Sequence, residues 1–447
     1  MRTDAAFVSS LKACAEKKDL LTGNKLHVDI VRHGLVQKPY LASSLISMYA
    51  KCGIISKAQQ IHDEFQARNV VTWNAMITGY ARDGQALESF DCYERMENEG
   101  IFPNHVTFIC ILKACGITGA IDRGKQIHSK VLISIKDSME KDLVMIGSAL
   151  VDMYVKCGLI AIARKVHSDL PVRNVVTWSI LIAGYVQQGK GHAALNSYEK
   201  MRSEGILPDA ITFTCILKAC GSIGASNKGK EIHEEVALKG LLQKDLVLGT
   251  ALVDMYAKCG MLEKAREVLR ELPGRDIVPW NALISGYAQH GQGHEALECF
   301  KSMREEGIAP DEVTFLSVLT ACSHSGLLED AQMCFSNMRE KHNIVPNSEH
   351  GTCMVVVYGC VGQFDDAVSM IKTLPSLCDH PPVWFALLDA CRKWGNVKLG
   401  ALAFNQAIQV DGSSAAYALM ASIYAGVGMM KDAGKVEALR LETLHKK

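Results

Sequence analysis

Apolar residues along the chain recur every three or four positions, in runs of about a dozen residues that predict short amphipathic helices. One such run extends from Val70 to Tyr80, and a second begins at Ala86. Gly84 lies between them, where a glycine is typical of a helix C-terminus. Pro103 closes the second run, because proline cannot continue a helix. This stretch therefore predicts one pair of short helices.

The predicted helix pair is repeated along the chain. The string VVTWNAMITGY at 70–80 returns in related form at 175–185 and 277–287, about one hundred residues apart each time. Two further strings, ILKACG and MYAKCG, recur between these copies in a constant order, so each period contains three related units of about 31 to 39 residues. No unit can bury its apolar face alone. The pattern predicts an all-α, right-handed solenoid whose first helices form a concave surface.

Composition narrows the possible functions. Lys+Arg and Asp+Glu are both 48 among 447 residues, which excludes binding of nucleic acid through bulk charge. A hydrophobic content of 48% predicts a folded core, and 16 Cys in so long a chain do not indicate a disulfide framework. No uncharged apolar run approaches the roughly 18 to 20 residues that a bilayer crossing needs. We therefore expect a soluble, reduced protein with no membrane partner.

The unit at 70–104 carries Thr72-Trp73-Asn74 near its start and ends in a Gly-Ile-x-Pro-Asn sequence. It resembles a pentatricopeptide repeat (PPR), and the alternation of unit lengths resembles the plant PLS subfamily, in which P, L and S variants follow one another. Residues 382–400 and 415–428 resemble the E1 and E2 tail motifs of that subfamily. The resemblance implies a repeat array at 4–379, in the order L-S-P-L-S-P-L-S-P-L-S (about 11 repeats), and a tail with TPR-like E1/E2 motifs at 380–447.

Two departures from the family pattern qualify this resemblance. The L-like unit at 105–143 is longer than its counterparts, with extra residues around Ser134–Lys141, so we expect irregular stacking there. The first unit starts at residue 4, where the family normally has more repeats and an organelle transit peptide. We therefore expect that the N-terminus is truncated. The family implies a location in the mitochondrion or the chloroplast, and we favour the mitochondrion.

For PPR proteins, the resemblance implies that the fifth and last residues of each P-like or S-like unit face one RNA base. Here these positions hold only small hydrogen-bonding side chains. The pairs are Ser43 and Asn69, Asn74 and Asn104, Ser148 and Asn174, Ser179 and Asp209, Thr250 and Asp276, and Asn281 and Asp311. An alternative for the last residues is that they only cap the next helix, since Asn and Asp are good N-caps.

The second residues of the same units are apolar, and the resemblance implies that they wedge between successive bases. They are Tyr40, Val71, Met145, Val176, Val247 and Val278. The L-like units carry mainly apolar fifth residues, and they are predicted to act as spacers between the units that recognise a base. By the family's recognition pattern, the chain from Pro39 to Asp311 implies the RNA sequence A-Y-n-A-G-n-G-U.

Apparent catalytic motifs have a simpler explanation. His62-Asp63-Glu64 and His233-Glu234-Glu235 match the H-x-E part of a cytidine deaminase zinc signature, but the chain has no C-x-x-C to complete it. These histidines belong to a repeated Ile-His or Val-His pair, which predicts a packing position. The Cys and Trp residues that recur once per period are likewise predicted to pack in the core. We expect no enzymatic activity, no metal and no cofactor.

The leading functional hypothesis is a sequence-specific binder of organellar single-stranded RNA that selects sites for C-to-U editing. The resemblance implies that a separate DYW-type deaminase and other editing factors bind the tail at 380–447, and that the chain is monomeric when RNA-bound. Two alternatives stay open. One is a stabilisation or splicing factor that simply occupies its RNA. The other, from a different class, is a TPR-like protein-binding scaffold, which the net charge of zero favours.

Overall fold

The computed structural model of the chain describes residues 4–134, 140–411 and 413–445. Within these ranges all regular structure is helical, with 26 α-helices, one 3-10 turn at Pro375–Leu377 and no β-strand. The chain divides into two compact units, residues 1–219 and 220–447, which are described separately. In each unit, successive helix pairs pack in series, so the predicted all-α solenoid of stacked helix pairs is confirmed.

The first unit consists of six helix pairs and the greater part of a thirteenth helix. Its paired helices are α1 (Asp4–Lys17), α2 (Leu20–Arg32), α3 (Pro39–Lys51), α4 (Ile55–Glu64), α5 (Val70–Arg82), α6 (Ala86–Asn98), α7 (His105–Thr118), α8 (Ile121–Ser134), α9 (Glu140–Lys156), α10 (Ile160–Asp169), α11 (Val175–Gln187) and α12 (Gly191–Ser203). The first helix of each pair packs on the first helix of the next, from α1 through α11.

The boundary between the units falls within α13 (Ala210–Ile223). The remaining helices, in the second unit, are α14 (Ser226–Leu238), α15 (Leu246–Lys258), α16 (Leu262–Glu271), α17 (Ile277–Gln289), α18 (Gly293–Glu305), α19 (Glu312–Ser325), α20 (Leu328–Glu340), α21 (Ser348–Val361), α22 (Phe364–Thr373), α23 (Pro381–Trp394), α24 (Val397–Val410), α25 (Ser414–Gly426) and α26 (Met430–His445). First helices again pack on one another, from α15 through α25.

Local sequence explains where these helices start and stop. Asn69 precedes α5, and its side-chain oxygen accepts hydrogen bonds from the backbone N–H groups of Val71 and Thr72. The Thr72 side chain in turn accepts from the Asn69 N–H, which completes a capping box. After α5 the chain turns at Gly84, whose φ of 77° lies in the left-handed region that favours glycine.

The predicted starts of the units coincide with helix starts except at one place. An S-like unit was expected to begin at Val144, but α9 begins at Glu140 and has 17 residues, against 13 in its counterpart α15. Asp245 precedes α15 and caps it, whereas Leu143 at the corresponding position cannot cap a helix. The helix therefore continues back into the longer L-like unit. Residues 135–139 of that unit lie outside the described residues.

The recurring Trp residues and one set of recurring Cys residues lie in the core, as predicted, whereas the Cys set at Cys52, Cys157 and Cys259 is only half-buried. Trp73 is fully buried, and Trp178 and Trp280 are nearly so. Cys115 is also fully buried, and this burial raises the pKa of its thiol to about 12. A thiol held neutral in this way packs as a small apolar group and is a poor metal ligand. In the part of the chain that the structure describes, no helix is both long and apolar enough to cross a bilayer.

Candidate nucleic-acid interface

The second residues of the P-like and S-like units are exposed although they are apolar. The exposed fraction of Val71, Val176, Val247 and Val278 lies between 49 and 66%. Tyr40 and Met145 are also exposed. The helices α7, α13 and α19 show the same feature at Val106, Ile211 and Val313. An exposed apolar side chain at a repeated position provides a surface on which a flat ring can pack.

Two of the predicted fifth and last residue pairs are joined by a direct hydrogen bond. The Asn74 amide donates to Asn104 Oδ1 at 3.5 Å, and the Asn281 amide donates to Asp311 Oδ1 at 3.1 Å. Burial raises the pKa of the Asp311 carboxyl, but hydrogen bonds from Thr314 and Asn281 outweigh burial and leave this pKa below its ordinary value. Asp311 is therefore an ionised group that only accepts hydrogen bonds.

Where the fifth residue is Ser or Thr, its hydroxyl donates to the helix backbone. Ser43 donates to the Pro39 carbonyl at 2.6 Å, and Thr250 donates to the Leu246 carbonyl at 2.8 Å. Ser148 donates in the same way at 2.7 Å. Among the described residues no hydrogen bond joins these three side chains to their predicted partners Asn69, Asn174 and Asp276. Their hydroxyl oxygens still have acceptor capacity for a ligand.

The remaining pair is linked through a third side chain. The hydroxyls of Ser179 and Thr212 are 2.7 Å apart, and the Thr212 hydroxyl donates to Asp209 Oδ1 at 2.7 Å. Ser179, Thr212 and Asp209 therefore form one chain of hydrogen bonds. The structure thus joins three of the six predicted pairs, two directly and one through a threonine.

All six last residues lie at helix N-termini, and each side chain accepts a hydrogen bond from a backbone N–H of the helix that follows, which establishes the capping role that was raised as an alternative. Asn104, Asn174 and Asp209 each accept from the backbone N–H of the third helix residue, as Asn69 and Asp311 do. Asp276 differs, because the third residue of α17 is Pro279, which has no N–H. Asp276 accepts only from the Val278 N–H, at 3.0 Å, and its side chain is exposed. Asp276 is therefore exposed and keeps most of its acceptor capacity for a ligand.

One cleft of about 270 Å³, in the compact unit of residues 1–219, is lined by several of these residues. It is lined by the fifth residues Ser43 and Asn74 and by the exposed second residues Val71 and Val106. Further lining residues include the last residues of α3 and α5, which are Lys51 and Arg82. Hydrogen-bonding groups, apolar contacts and two cations thus line one open space. This combination suits a flat polar ring that is linked to an anionic group.

Sequence reasoning missed the cations of this cleft. A signal was available, because Lys51, Lys156 and Lys258 all end the first helix of an S-like unit. The family resemblance pointed only to positions that contact bases. Arg82 carries no such signal, since Gln187 and Gln289 end the corresponding helices.

The histidines of the two H-x-E strings pack against aromatic rings. His62 is fully buried and lies edge-on to Trp73, with ring centroids 4.4 Å apart. His233 is hydrogen-bonded to the Tyr256 hydroxyl at 2.9 Å. Within the described ranges no group of three or more His, Cys, Asp or Glu side chains could hold a metal ion. Both histidines therefore have packing roles, as the repeat pattern predicted.

These features define the chain as an α-solenoid of helix-pair repeats with a recurring polar and apolar face. Residues 68–116, 173–222 and 275–324 match the PPR repeat family, and residues 41–70, 250–277 and 313–343 match the PPR repeat. The chain belongs to this family. Its assignment to the PLS subfamily and the E-like nature of its tail stay predictions.

The chain is similar over nearly its whole length to proteins of Arabidopsis thaliana. It is 36% identical to pentatricopeptide repeat-containing protein At2g33680, over 97% of this chain and 59% of that protein. It is 35% identical to pentatricopeptide repeat-containing protein At1g06140, mitochondrial, over 95% of this chain and 75% of that protein. The chain thus spans little more than half the length of the first of these relatives.

Among solved structures, the chain resembles the pentatricopeptide repeat protein PPR10 from maize. The similarity to PPR10 in complex with an 18-nt psaJ RNA element has a TM-score of 0.63 at 16% identity. It covers 98% of this chain and 74% of that chain. At this level of identity the similarity concerns the fold.

Proposed function

We propose that this protein binds single-stranded RNA in a sequence-specific manner. The observation that carries the proposal is the cleft that Ser43 and Asn74 line together with exposed Val71 and Val106, with Lys51 and Arg82 in the same lining. An RNA nucleotide needs these three kinds of group: hydrogen-bonding partners for the base edge, apolar surface for the base face and cations for the phosphate. Binding of PPR10 to an RNA element, on the same fold, supports the proposal.

In this proposal the fifth and last residues choose the base. The amide of Asn281 and the carboxylate of Asp311 are 3.1 Å apart and present a donor and an acceptor side by side. A base whose edge fails to match leaves one of these groups without a partner, at a cost of about 1 to 3 kcal/mol. The exposed valines at 71, 176, 247 and 278 separate successive bases, and the L-like units act as spacers.

At a finer level, we propose that the RNA is an organellar transcript and that the protein selects sites for C-to-U editing. The PLS order of the repeats and the E-like tail support this role through the family resemblance. Relatives whose names include mitochondrial or chloroplastic support an organellar location, and the mitochondrion stays the preferred alternative. The protein has no catalytic role here: a DYW-type deaminase recruited through the tail at 380–447 performs the chemistry, and the RNA-bound protein is monomeric.

Two other functions use the same fold. An RNA stabilisation or splicing factor would use the same cleft but would need no deaminase. A TPR-like scaffold would bind protein instead, and the cations beside Ser43 and Asn74 argue against it.

Fluorescence anisotropy with a labelled RNA that contains A-U-U-A-G-U-G-U tests the proposal. We expect saturable binding that weakens as KCl rises, because phosphate contacts release bound counterions. We also expect weaker binding to the same RNA with its order reversed. Binding that is insensitive to both salt and sequence would exclude sequence-specific RNA recognition.

A further inference from the structure

The lysines that end the first helices of the S-like units differ in their surroundings. Lys156 Nζ lies 2.7 Å from Asp152 Oδ2, and Lys258 Nζ lies 2.8 Å from Asp254 Oδ2. In both cases the acid stands four residues before the lysine, one helical turn away. Two of the three lysines are therefore held in ion pairs on their own helix.

Lys51 has no such partner. Ser47 stands four residues before it, and in the described part of the chain no ion pair involves Lys51. The two side chains line the same cleft as the fifth residues Ser43 and Asn74. The first S-like unit therefore presents a free ammonium group to the proposed RNA site.

A second cation, Arg82, lines the same cleft as Lys51 and has no ion-pair partner among the described residues. Glutamine replaces Arg82 in the later P-like units, at Gln187 and Gln289.

We propose that Asp152 and Asp254 keep Lys156 and Lys258 from neutralising RNA phosphates, so that Lys51 and Arg82 hold more of the RNA backbone than the paired lysines do. The inference rests on the RNA-binding function proposed above. A lysine already paired with a carboxylate has little net charge to offer, and a phosphate that displaces the carboxylate releases fewer counterions. The later units would then rely on base contacts, which carry the sequence information.

A comparison of equivalent lysines tests this proposal in the full chain. Binding of the labelled A-U-U-A-G-U-G-U RNA is measured over a series of KCl concentrations. Lys51→Gln should weaken binding about fivefold and make the slope of log K against log salt shallower by about 0.7, the value for one phosphate contact on a single strand. Lys156→Gln should weaken binding less than about twofold and leave the slope unchanged.

Exchange of the residues that stand four positions before Lys51 and Lys156 should reverse the contributions of these two lysines to RNA binding. Asp152→Ser copies the first S-like unit and should tighten binding about two- to fivefold, with a slope steeper by about 0.7. In that background Lys156→Gln should cost as much as Lys51→Gln does in the native chain. Ser47→Asp should have the opposite effect and remove most of the penalty of Lys51→Gln.

Asp122→Ser is the matched control. It removes the same charge from α8, where Asp122 is 95% exposed at its side chain and lies 3.9 Å from Lys125. It should change neither affinity nor slope appreciably. Thermal melts establish that every variant folds.

Three outcomes would overturn the proposal. Equal losses from Lys51→Gln and Lys156→Gln in the native chain would show that the aspartates do not mask the lysines, while RNA binding itself would stand. An effect of Asp122→Ser as large as that of Asp152→Ser would assign the change to overall charge. Absence of salt-dependent binding by the native chain would overturn both this inference and the proposed function.

Discussion

A side chain that caps a helix can still contact a base. Asn and Asp oxygens each have two lone pairs, and a capping bond to one backbone N–H uses only part of this capacity. Asp311 shows the combination, since Oδ1 accepts from the Thr314 backbone and from the Asn281 amide. The capping role and the proposed reading role are therefore compatible at the same residue. Exchange of Asn for Asp preserves the cap, which lets the base preference vary independently of helix stability.

The most direct test at this scale uses Thr250, because its partner Asp276 is exposed and makes only one backbone hydrogen bond. Thr250→Asn should place an amide beside Asp276, as Asn281 lies beside Asp311 in the P-like repeat that follows. By the family's recognition pattern, the preferred base should change from guanine to uracil, with a discrimination of about 1 to 3 kcal/mol. Binding to four RNAs that differ only at this base measures the change.

Thr214→Asn provides the control for this test. Thr214 is the fifth residue of an L-like unit, and its hydroxyl donates to the Ala210 carbonyl at 2.8 Å, as Thr250 does to Leu246. Since L-like units are proposed to space, this substitution should create no base preference. If Thr250→Asn weakened binding to all four RNAs equally, these side chains would serve only packing and capping.

The sequence identified the side chains of this face better than their contacts. Every proposed base-reading residue except Ser148 lies at the predicted position of a first helix or its cap, because the repeat fixes its distance from the helix start. Ser148 is the ninth residue of α9 instead of the fifth, since that helix begins at Glu140. The direct bond between Asn281 and Asp311 depended on side-chain length, which periodicity does not describe. The freedom of Asp276 depended on Pro279, a single departure from the threonine of the other P-like units.

At the scale of helices, caps and turns determined what could be predicted. First helices begin after Asn or Asp at α5, α7, α11 and α17, where the sequence placed unit boundaries. The error at α9 arose where the cap is absent, because Leu143 offers no side-chain acceptor. Sequence alone could not show which helices pack most closely on one another. The apolar face of a first helix contacts both the second helix of its own pair and the first helix of the next pair.

Buried histidines couple the packing of these helices to pH. His62 and His167 lie against Trp73 and Trp178, and burial lowers the pKa of each histidine to about 4. In the unfolded chain a histidine has a pKa of about 6.5, so the unfolded state binds more protons between these two values. Stability should therefore fall as pH decreases from about 6.5 to about 4, by roughly 1.4 kcal/mol per histidine and pH unit.

The substitutions His62→Leu and His167→Leu should remove this part of the pH dependence. Leucine is suitable because Leu269 occupies the corresponding position in α16, where it is buried. Urea unfolding at several pH values should show a smaller loss of stability for the double variant than for the native chain. His192→Leu, on the exposed side of α12, is the control. An unchanged pH dependence in the double variant would show that other groups cause the acid destabilisation.

Over the whole molecule, the placement of the charged residues explains how a chain with no net charge could bind RNA. Equal numbers of acidic and basic residues give no bulk attraction for RNA, so the proposed affinity depends on local cations such as Lys51 and Arg82 in the cleft. The repeat period was sufficient to predict the solenoid, because stacking is the only way for such short helix pairs to bury their apolar faces. The repeat period could not predict which lysines are paired with acids. That pairing depends on single residues such as Ser47, which stands where the later S-like units have Asp152 and Asp254.

The C-terminal tail exposes apolar side chains of its own. In its last helix, α26, Met430 and Leu441 are 68 and 49% exposed. These two residues are eleven positions apart, which places them on the same face of a helix with 3.6 residues per turn. If the tail recruits a deaminase, as proposed, these two exposed apolar side chains, which lie on either side of Glu437, are suited to contact it.

Met430→Glu together with Leu441→Glu should therefore separate editing from RNA binding. The double variant should bind the A-U-U-A-G-U-G-U RNA with native affinity, because neither residue lies in a repeat that reads a base. It should fail to restore C-to-U editing in cells that lack the native gene, as measured by sequencing of organellar transcripts. Lys431→Glu, an exposed charge change on the same helix, should restore editing and serves as the control.

The possible results distinguish the three functions that were considered. Loss of editing with intact RNA binding supports recruitment through α26. Full editing by the double variant would exclude this face as the recruitment site, although the repeats would still select the RNA. If the cells lacking the gene lose no edited site but lose a transcript or a spliced product, the protein stabilises or splices its RNA, and the tail then needs no deaminase. If no transcript changes at all, the scaffold alternative is favoured, in which the helix pairs bind a protein partner.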